Sequence, residues 1–383
     1  MEQGLATTTE YHAVDVAALR STDLAGAPSA EDEAFQLTSL EAVSRTFALT
    51  IPQLPPELRR AVANGYLLCR IADTIEDDPA LGRDEKAVFL DALLAELEER
   101  RDGTVLAQAL ARRLSAASLP AEHRLIAEIP RVLRITGSFD EPQRRALIRC
   151  AAIMGRGMAE FGQRSSRAGL DTLGDLERYC YHVAGVVGEM LTDLFCHYSP
   201  AIARRRAELA SLAVSFGQGL QMTNILKDIW DDLERGVCWL PREVFAGAGY
   251  DLSSLPEGHD GPEFASALLR LVAVAHGNLQ DALRFTLLIP RRETGIRRFL
   301  MWAVSLAVLT LRNIAANPGF SDGAQVKVPR PIVWRVIQMT NLTIRSNMAL
   351  GTLFRRWAAG LPAPAGDRRH LAGLSPDGWA SVR

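Results

Sequence analysis

The stretch YLLCRIADTIEDD (residues 66–78) repeats its acidic spacing in QMTNILKDIWDDLE (residues 221–234). Each stretch holds two aspartates four residues apart: Asp73 and Asp77 in the first, Asp228 and Asp232 in the second. On an α-helix, residues i and i+4 lie on one face about one turn apart, so each pair can direct two carboxylates to a shared cation. The pattern predicts that both stretches are helical.

Polar side chains continue the face of each pair toward the N-terminus. Tyr66 and Arg70 precede the first pair in helical steps, and Gln221 and Asn224 precede the second. The remaining positions of both stretches are mostly apolar, as in a buried helix. Buried carboxylates are costly unless they are paired or bind a metal. We therefore expect two acidic helices that face one internal pocket, although one such pair taken alone is more often a solvated helix face.

Composition excludes several classes of function. The chain has 383 residues, of which 48% are hydrophobic and 23% charged, with a formal net charge of -2. No basic block suggests a nucleic-acid partner. The five cysteines are scattered without CxxC spacing, which indicates reduced thiols in a cytoplasmic protein and no zinc site.

Targeting and membrane signals are weak in this sequence. The N-terminal residues lack the basic and apolar regions of a secretory signal. The longest apolar run, FLMWAVSLAVLTL at residues 299–311, is too short to span a bilayer and predicts a core helix. We expect no transmembrane segment, with peripheral membrane contact left open.

Periodicity divides the chain into three parts. Residues 1–34 are polar and predict a loosely ordered leader, residues 35–361 read as one all-α catalytic domain, and residues 362–383 form an irregular tail. Strand-like alternation is nearly absent from the domain. Continuous helices are expected at, among other places, residues 121–136, 172–197, 202–234 and 331–361.

The four aspartates are suited to Mg²⁺, which takes oxygen ligands and is commonly held by carboxylates together with substrate phosphates. Two facing acidic helices predict a site for about two or three Mg²⁺ ions that bridge a diphosphate. Lys227, Arg70 and the adjacent Ser44 and Arg45 would complete the shell of the anion. Departure of the diphosphate would leave a carbocation in an apolar cavity.

Four motifs together resemble the squalene/phytoene synthase family in order and spacing: SRTFALTI (44–51), YLLCRIADTIEDD (66–78), YCYHVAGVVGEML (179–191) and QMTNILKDIWDDLERGVCWLP (221–241). The resemblance covers about residues 38–340. It implies a single-domain helical bundle of the isoprenoid-synthase type around a central cavity. The ADTIEDD form and the stretch SLAVLTLRNIAANPGFSDGAQVKVPRPIVWRVI (305–337) are more similar to the squalene-forming branch than to the phytoene-forming branch.

The resemblance implies a prenyltransferase reaction in two steps. Two molecules of farnesyl diphosphate would condense head to head into presqualene diphosphate with Mg²⁺, and NADPH would then reduce this intermediate to squalene. The alternative within the family is coupling without reduction, which gives phytoene, dehydrosqualene or hydroxysqualene. A non-catalytic binding or assembly protein of the same fold is the third hypothesis.

The resemblance also assigns roles to individual residues. Tyr179 corresponds to the catalytic tyrosine of the family, and Glu76 is a further candidate metal ligand. The positions that contact diphosphate are Ser44, Arg45, Tyr66, Arg70 and Lys227. Pocket or cofactor positions are Phe47, Gln221, Asn224, Lys327 and Arg330. For Tyr66, Arg70, Gln221 and Asn224 the structural alternative is a buried polar side chain satisfied by its neighbours, and for Tyr179 it is an aromatic side chain packed between helices.

Two positions depart from the family pattern. Lys227 stands where an arginine is common, and a lysine lacks the planar fork that holds an anion through two hydrogen bonds. Pro329 stands where a second basic residue is expected after Lys327, with Arg330 one place later. No GxGxxG motif follows a strand, so NADPH would bind without a Rossmann unit.

Overall fold

The computed structural model describes residues 19–24, 26–44, 46–255 and 261–364. Its α-helices are α1 (Ala30–Val43), α2 (Phe47–Thr50), α3 (Pro56–Asp77), α4 (Arg83–Glu98), α5 (Thr104–Arg113), α6 (Pro120–Ala127), α7 (Ile129–Gly137), α8 (Glu141–Arg164), α9 (Leu173–Cys180), α10 (Val186–Tyr198), α11 (Pro200–Ala203), α12 (Arg206–Lys227), α13 (Ile229–Glu234), α14 (Arg242–Ala246), α15 (Pro262–Leu288), α16 (Thr294–Ala316), α17 (Arg330–Thr343) and α18 (Asn347–Trp357). Extended pairing within the described ranges is limited to two isolated bridges, Asp23 with Arg101 and Leu170 with Pro241. The predicted all-α fold class is confirmed.

Helix α3, which carries Asp73 and Asp77, and helix α12, which leads to Asp228, lie in the centre of the bundle. Helix α12 packs along α15 and α10, while α3 packs against α8 and α10. The apolar positions of α3, such as Leu67 and Ile71, are fully buried, and Met222 and Ile225 of α12 are nearly so. Both helices therefore have the buried apolar faces that the sequence predicted, and α10 contacts both of them.

Close contact between α12 and the segment around α10 depends on two glycines. A Cβ atom at Gly188 would lie 1.9 Å from the carbonyl oxygen of Ala213, and one at Gly217 would lie 2.0 Å from the carbonyl oxygen of Ala184. Either distance is far below van der Waals contact, so a side chain at these positions would force the helices apart. The two glycines bring the YCYHVAGVVGEML motif against the helix that leads to Asp228.

Four helices expected to be continuous are interrupted or change type. The predicted helix 121–136 divides before Pro130, whose ring and missing amide hydrogen suit the first turn of α7. The predicted helix 172–197 contains a π-helical turn at Tyr181–Gly185. The predicted helix 202–234 changes direction at Arg205 and again at Asp228, and 331–361 is divided by Ser346, whose hydroxyl accepts a hydrogen bond from the amide of Ala349 at 3.2 Å.

Most of the predicted leader and tail lies outside the described residues. Of the leader, residues 19–24 and 26–34 are described, and Leu19 and Ser21 are buried. The amide of Ser21 donates to Oε1 of Glu96 at 2.8 Å. Packed residues thus occur earlier than position 35, while the division into leader, domain and tail remains a prediction.

Helix α16 contains the apolar run that the sequence analysis assigned to the core. Among the described residues it is the one helix long and apolar enough to cross a membrane by length and composition. Its most apolar window is 72% buried inside the protein. This burial agrees with a core helix.

Candidate active site

The two aspartate pairs approach each other through Arg235. Nη1 of Arg235 lies 3.1 Å from Oδ2 of Asp77, at the end of α3, and Nη2 donates a hydrogen bond to Oδ1 of Asp232 in α13. One guanidinium therefore touches one carboxylate from each pair. Asp73 and Asp228 stand four residues earlier along their respective chain segments.

Asp77, Asp232 and Arg235 line a cavity of about 300 Å³. The cavity also exposes Glu76 and Lys86. Its apolar lining includes Leu90, Met158 and Trp239. A second cavity, of about 450 Å³ between residues 52–55 and 292–298, contains none of the predicted site residues. The chemistry thus favours the smaller cavity as the candidate active site.

The carboxyl group of Asp73 is poised near neutral pH. Burial raises the pKa of Asp73 to about 7, Arg70 partly opposes the rise, and the charges of Asp77 and Glu122 reinforce it. The side chain is still 39% exposed, so a ligand can reach it. A carboxyl with this pKa becomes fully ionised when a cation binds it.

The pKa values of Asp232 and Glu76 are raised as well. Burial raises the pKa of Asp232 to about 6 against the opposing charge of Arg235, with further repulsion from Asp228 and Asp77. Burial and the carboxylates of Asp77 and Asp73 raise the pKa of Glu76 well above its usual range. Oε1 of Glu76 is buried and has no hydrogen-bond partner in the described part of the chain. Burial is thus the main cause of the raised pKa of these carboxyl groups, and the neighbouring carboxylates add to it.

The metal site predicted from the sequence is not preassembled. In the described ranges, no group of three or more acidic, histidine or cysteine side chains is arranged to hold an ion. Instead, Nζ of Lys227 lies 2.7 Å from Oδ2 of Asp228, and Arg235 makes ion pairs with Asp77 and Asp232. The donor set still fits a hard cation such as Mg²⁺, because its ligands are carboxylate oxygens and one of them, Oε1 of Glu76, is unpartnered.

Tyr179 lies beside this acidic cavity at the end of α9. Its ring stacks on Trp239 with centroids 3.8 Å apart and planes 9° apart, and it meets Phe161 edge-on at 5.4 Å. Burial raises the pKa of the Tyr179 phenol well above its ordinary value, and the charges of Glu76, Asp77 and Asp232 raise it further. The phenol is therefore neutral at physiological pH. The π-helical turn that follows, a feature often found at functional sites, changes the phase of the helix directly after it.

Ser44, Phe47 and Tyr66 form one cluster at the start of the predicted diphosphate region. The Ser44 hydroxyl accepts from the amide of Phe47 at 2.9 Å, and the rings of Phe47 and Tyr66 are 5.2 Å apart. The Tyr66 hydroxyl donates to the carbonyl of Val43 at 3.4 Å. Arg45 lies outside the described residues.

Arg70 connects this region with the first aspartate pair. It makes an ion pair with Glu122 of α6, and its Nη1 lies 4.0 Å from Oδ2 of Asp73. Its Nε is buried without a hydrogen-bond partner among the described residues. The guanidinium is thus held at the edge of the acidic site, and its Nε can donate a hydrogen bond to a further acceptor.

The remaining pocket candidates are more exposed. Gln221 is half-buried and Asn224 is exposed on α12, and Lys327 and Arg330 are both exposed at the start of α17. The loop before Lys327 nevertheless contacts the second aspartate pair. A Cβ at Gly323 would lie 2.9 Å from the carbonyl of Lys227 and 3.5 Å from Oδ1 of Asp228.

Sequence reasoning missed several residues of the site: Arg235, Trp239, Lys86 and Glu122. Arg235 could have been found, because it follows Asp232 by three residues and such pairs meet on a helix. Lys86 and Glu122 come from α4 and α6, and no local spacing predicts that these helices flank α3.

The fold is that of a helical isoprenoid-synthase-type protein. A solved ligand complex of TcSQS matches with a TM-score of 0.71 at 24% identity, covering 92% of this chain and 100% of that chain. A crystal structure of a dehydrosqualene synthase in complex with a ligand matches with a TM-score of 0.61 at 21% identity, covering 82% of this chain and 97% of that one. At these sequence identities, both matches show similarity of fold alone.

Sequence comparison places the chain in a family. The squalene/phytoene synthase family model matches residues 40–331. The squalene synthase of Eremothecium gossypii is 29% identical over 287 residues, which are 73% of this chain and 61% of that protein. The squalene synthase of Candida albicans is 30% identical over 307 residues, or 78% of this chain and 65% of that protein. The chain belongs to the squalene/phytoene synthase family, and it spans less than two thirds of the length of these two relatives.

Proposed function

We propose that this protein couples two molecules of farnesyl diphosphate head to head into presqualene diphosphate and then reduces this intermediate to squalene with NADPH. The observation that carries the proposal is the approach of Asp77 and Asp232, from two separate helices, to one cavity beside Tyr179. The similarity to curated squalene synthases supports the choice of product.

Acidic side chains that line the cavity, or that precede those residues by about one helical turn, would hold Mg²⁺. We assign this role to Asp73, Asp77, Asp228 and Asp232, with Glu76 as a further ligand. Bound Mg²⁺ supplies Lewis-acid stabilisation of a departing diphosphate. The unpartnered oxygen of Glu76 and the raised pKa values of Asp73 and Asp232 support this assignment, because they show carboxyl groups that are poorly solvated in the metal-free protein and would gain from a bound cation.

Basic and hydroxyl side chains would bind the diphosphate itself. Arg70 already lies 4.0 Å from Asp73, and Lys227 lies beside Asp228, so each aspartate pair has a cation of its own in addition to the shared Arg235. Ser44 and Tyr66 contribute hydroxyl groups, and Arg45 is assigned to the same shell from the sequence alone. These groups orient the anion so that the bond to carbon 1 can break.

Aromatic and apolar side chains would protect the carbocation that remains. The π faces of Tyr179, Trp239 and Phe161 attract positive charge, and Leu90 and Met158 exclude water that would capture it. Because its pKa is raised, Tyr179 acts as a neutral phenol and not as a phenolate base. Its assigned role is to orient the cation and to relay the proton that is lost when the cyclopropane closes: the hydroxyl oxygen would accept that proton while its own proton passes to the departed diphosphate.

The reductive step would require a nicotinamide near the second aspartate pair. Lys327 and Arg330 are exposed cations directly after the loop that touches Lys227, which is suitable for the phosphates of NADPH. Gln221 and Asn224 would line the same side of α12, and Phe47 would form part of the pocket wall. NADPH supplies the hydride in this step.

Coupling without reduction is the second candidate. It is favoured by Pro329, which replaces a basic residue expected beside Lys327, and the fold also matches that of a dehydrosqualene synthase. In that case the carbocation formed when presqualene diphosphate loses its diphosphate would lose a proton or capture water, and it would not accept a hydride.

A product assay tests the proposal. The purified chain is incubated with farnesyl diphosphate and Mg²⁺, with and without NADPH, and the lipids are identified by mass spectrometry. We expect presqualene diphosphate without NADPH and squalene with it. A different product that NADPH leaves unchanged would assign the protein to non-reductive coupling, and no release of diphosphate at all would assign it to a binding role.

A further inference from the structure

An apolar surface is exposed on the last two helices of the described chain. Trp334 is 62% exposed, Leu342 82% and Met348 81%, which is unusual for such large apolar side chains. Trp334 and Leu342 are eight residues apart on α17, which places them about 80° apart around the helix, and the buried Val336 lies on the far side of the helix from Trp334. Met348 follows at the start of α18. We refer to these three residues and the basic residues around them as the α17–α18 surface.

The α17–α18 surface carries positive charge without compensation. Between residues 323 and 364 the sequence contains no aspartate or glutamate, whereas the whole chain has a net charge of -2. The basic residues of this segment are Lys327, Arg330, Arg335, Arg345, Arg355 and Arg356. The segment therefore has a net positive charge, and it also carries the three most exposed large apolar side chains of the described residues.

In the described part of the chain, the helices that pack against this segment add little negative charge. Helix α16, which packs against both α17 and α18, contains no acidic residue between Thr294 and Ala316. Helix α15, which packs against α18, carries Glu263 and Asp281, of which Asp281 pairs with Arg284. Arg335 and Arg345 are exposed, and neither makes an ion pair in the described part of the chain. Arg355 hydrogen-bonds only within its own helix, to Thr352 at 3.0 Å. These guanidinium groups are available to an external anion.

We propose that the α17–α18 surface docks on an anionic lipid bilayer. Tryptophan is favoured at the boundary between headgroups and acyl chains, and leucine and methionine gain by insertion below it. Arginine side chains bind lipid phosphates while their methylene stems remain on the apolar surface. A nucleic acid would match the charge of the surface but would leave Leu342 and Met348 in water, so the combination favours a membrane.

A short segment connects the docking surface to the candidate active site. Gly323, in the loop between α16 and α17, lies against the carbonyl of Lys227, and α17 begins seven residues later. The inference is independent of the proposed reaction, although an apolar product would benefit from release at such a surface.

Vesicle flotation tests the proposal. The full chain is mixed with vesicles of phosphatidylcholine alone, or of phosphatidylcholine with about 30% phosphatidylserine, and the bound fraction is measured at low and high salt. We expect binding to the anionic vesicles that weakens with salt, and at least about tenfold weaker binding to the neutral ones. Equal binding to both compositions, or no binding to either, would overturn the proposal.

Matched variants locate the surface. The triple variant Trp334→Ser, Leu342→Ser, Met348→Ser should bind anionic vesicles at least about tenfold less, because three inserted side chains are lost. Its control is the triple variant Leu37→Ser, Val105→Ser, Leu119→Ser, which removes exposed apolar side chains elsewhere and should bind like the parent. Equal loss in both triple variants would contradict the assignment.

Charge and depth are tested separately. The double variant Arg335→Gln, Arg345→Gln should weaken binding by about 25-fold, at about fivefold for each cation, whereas Arg112→Gln with Arg204→Gln should not. Brominated lipids should quench tryptophan emission clearly more in the parent than in Trp334→Phe, which keeps an apolar ring, still floats and retains Trp357 of α18. Circular dichroism melts confirm that each variant is folded.

If the parent instead self-associates in solution and the serine triple variant is monomeric, a second copy covers this surface and the proposal fails.

Discussion

Nη1 of Arg235 lies 3.1 Å from the carboxylate of Asp77, joining the segment after α13 to the end of α3. The same guanidinium binds Asp232, so it occupies carboxylates of both aspartate pairs. A cation of the protein thus stands where the proposed function requires metal ions. Arg235 would have to release both carboxylates before they could coordinate Mg²⁺.

Arg235→Gln should separate the contribution of Arg235 to stability from its competition with Mg²⁺. Without the guanidinium, Asp77 and Asp232 repel each other, and the metal-free protein should lose about 1 kcal/mol of stability, because the side chain is half exposed. Mg²⁺ should then raise the melting temperature more in the variant than in the parent, since it no longer competes with an internal cation. Differential scanning calorimetry with and without Mg²⁺ measures both effects.

Arg206→Gln is the control for this experiment. Arg206 makes an exposed ion pair with Asp193 and does not line the cavity. Its removal should leave the response to Mg²⁺ unchanged. An identical response in the Arg235 variant would show that Arg235 does not compete with the metal.

Asp73→Asn and Asp228→Asn should each reduce turnover at least about 100-fold while the protein stays folded. Both side chains are assigned to metal and not to packing, and loss of one ligand removes several kcal/mol of charge stabilisation in the transition state. Diphosphate release and a thermal melt are measured side by side. Asp91→Asn, an exposed position of α4, is the matched control. Turnover like that of the parent in either variant would remove the metal-site argument.

The stability of the metal-free protein should depend on the ionisation of Asp73. Its pKa rises from 3.8 to about 7 on folding, so the folded state favours the protonated carboxyl. This contribution is complete below pH 3.8 and disappears as the pH rises to about 7. Asp73→Asn mimics the neutral form at every pH. The melting temperature of the variant minus that of the parent should therefore increase between about pH 4 and 7 and then remain constant, and a difference independent of pH would contradict the shift.

The sequence predicted α3 to within about two residues at each end, as 57–75 against the observed Pro56–Asp77. Its success has a physical reason, since a long, strongly periodic helix with prolines before its first turn has few alternatives. The second acidic helix was harder to predict. It ends at Lys227, and Asp228 has φ −100° and ψ 18°, yet no proline or glycine marks that change.

Tertiary contacts explain what the sequence could not supply. The stacking of Tyr179 on Trp239 joins residues 60 positions apart, and the ion pair of Arg70 with Glu122 depends on where α6 packs. The spacing of the aspartates predicted shared chemistry, but it could not show that Arg235 and Lys227 would neutralise three of the four carboxylates. Sequence periodicity predicts which face of a helix is buried, but tertiary packing determines which elements contact that face.

Lys327→Gln should affect the reductive step alone. If Lys327 binds a phosphate of NADPH, its loss should raise KM for NADPH about tenfold and leave formation of presqualene diphosphate unchanged, because the first step requires no nicotinamide. Steady-state assays of squalene and of the intermediate measure the two steps separately. Arg312→Gln in α16 serves as a matched basic control. Equal loss in both steps would assign Lys327 to structure or to diphosphate binding.

Tyr179→Phe should impair the first half-reaction. The ring and its stacking on Trp239 at 3.8 Å would remain, so the variant keeps the aromatic wall and loses only the hydroxyl group beside Glu76, Asp77 and Asp232. Because that hydroxyl would relay the proton lost in this step, its loss should lower kcat for presqualene diphosphate about 100-fold with little change in KM. Tyr250→Phe, whose ring packs against Phe245 and Phe264 away from the cavity, should behave like the parent. Unimpaired formation of the intermediate by Tyr179→Phe would mean that the aromatic ring alone, and not the phenol, is what the reaction requires at this position.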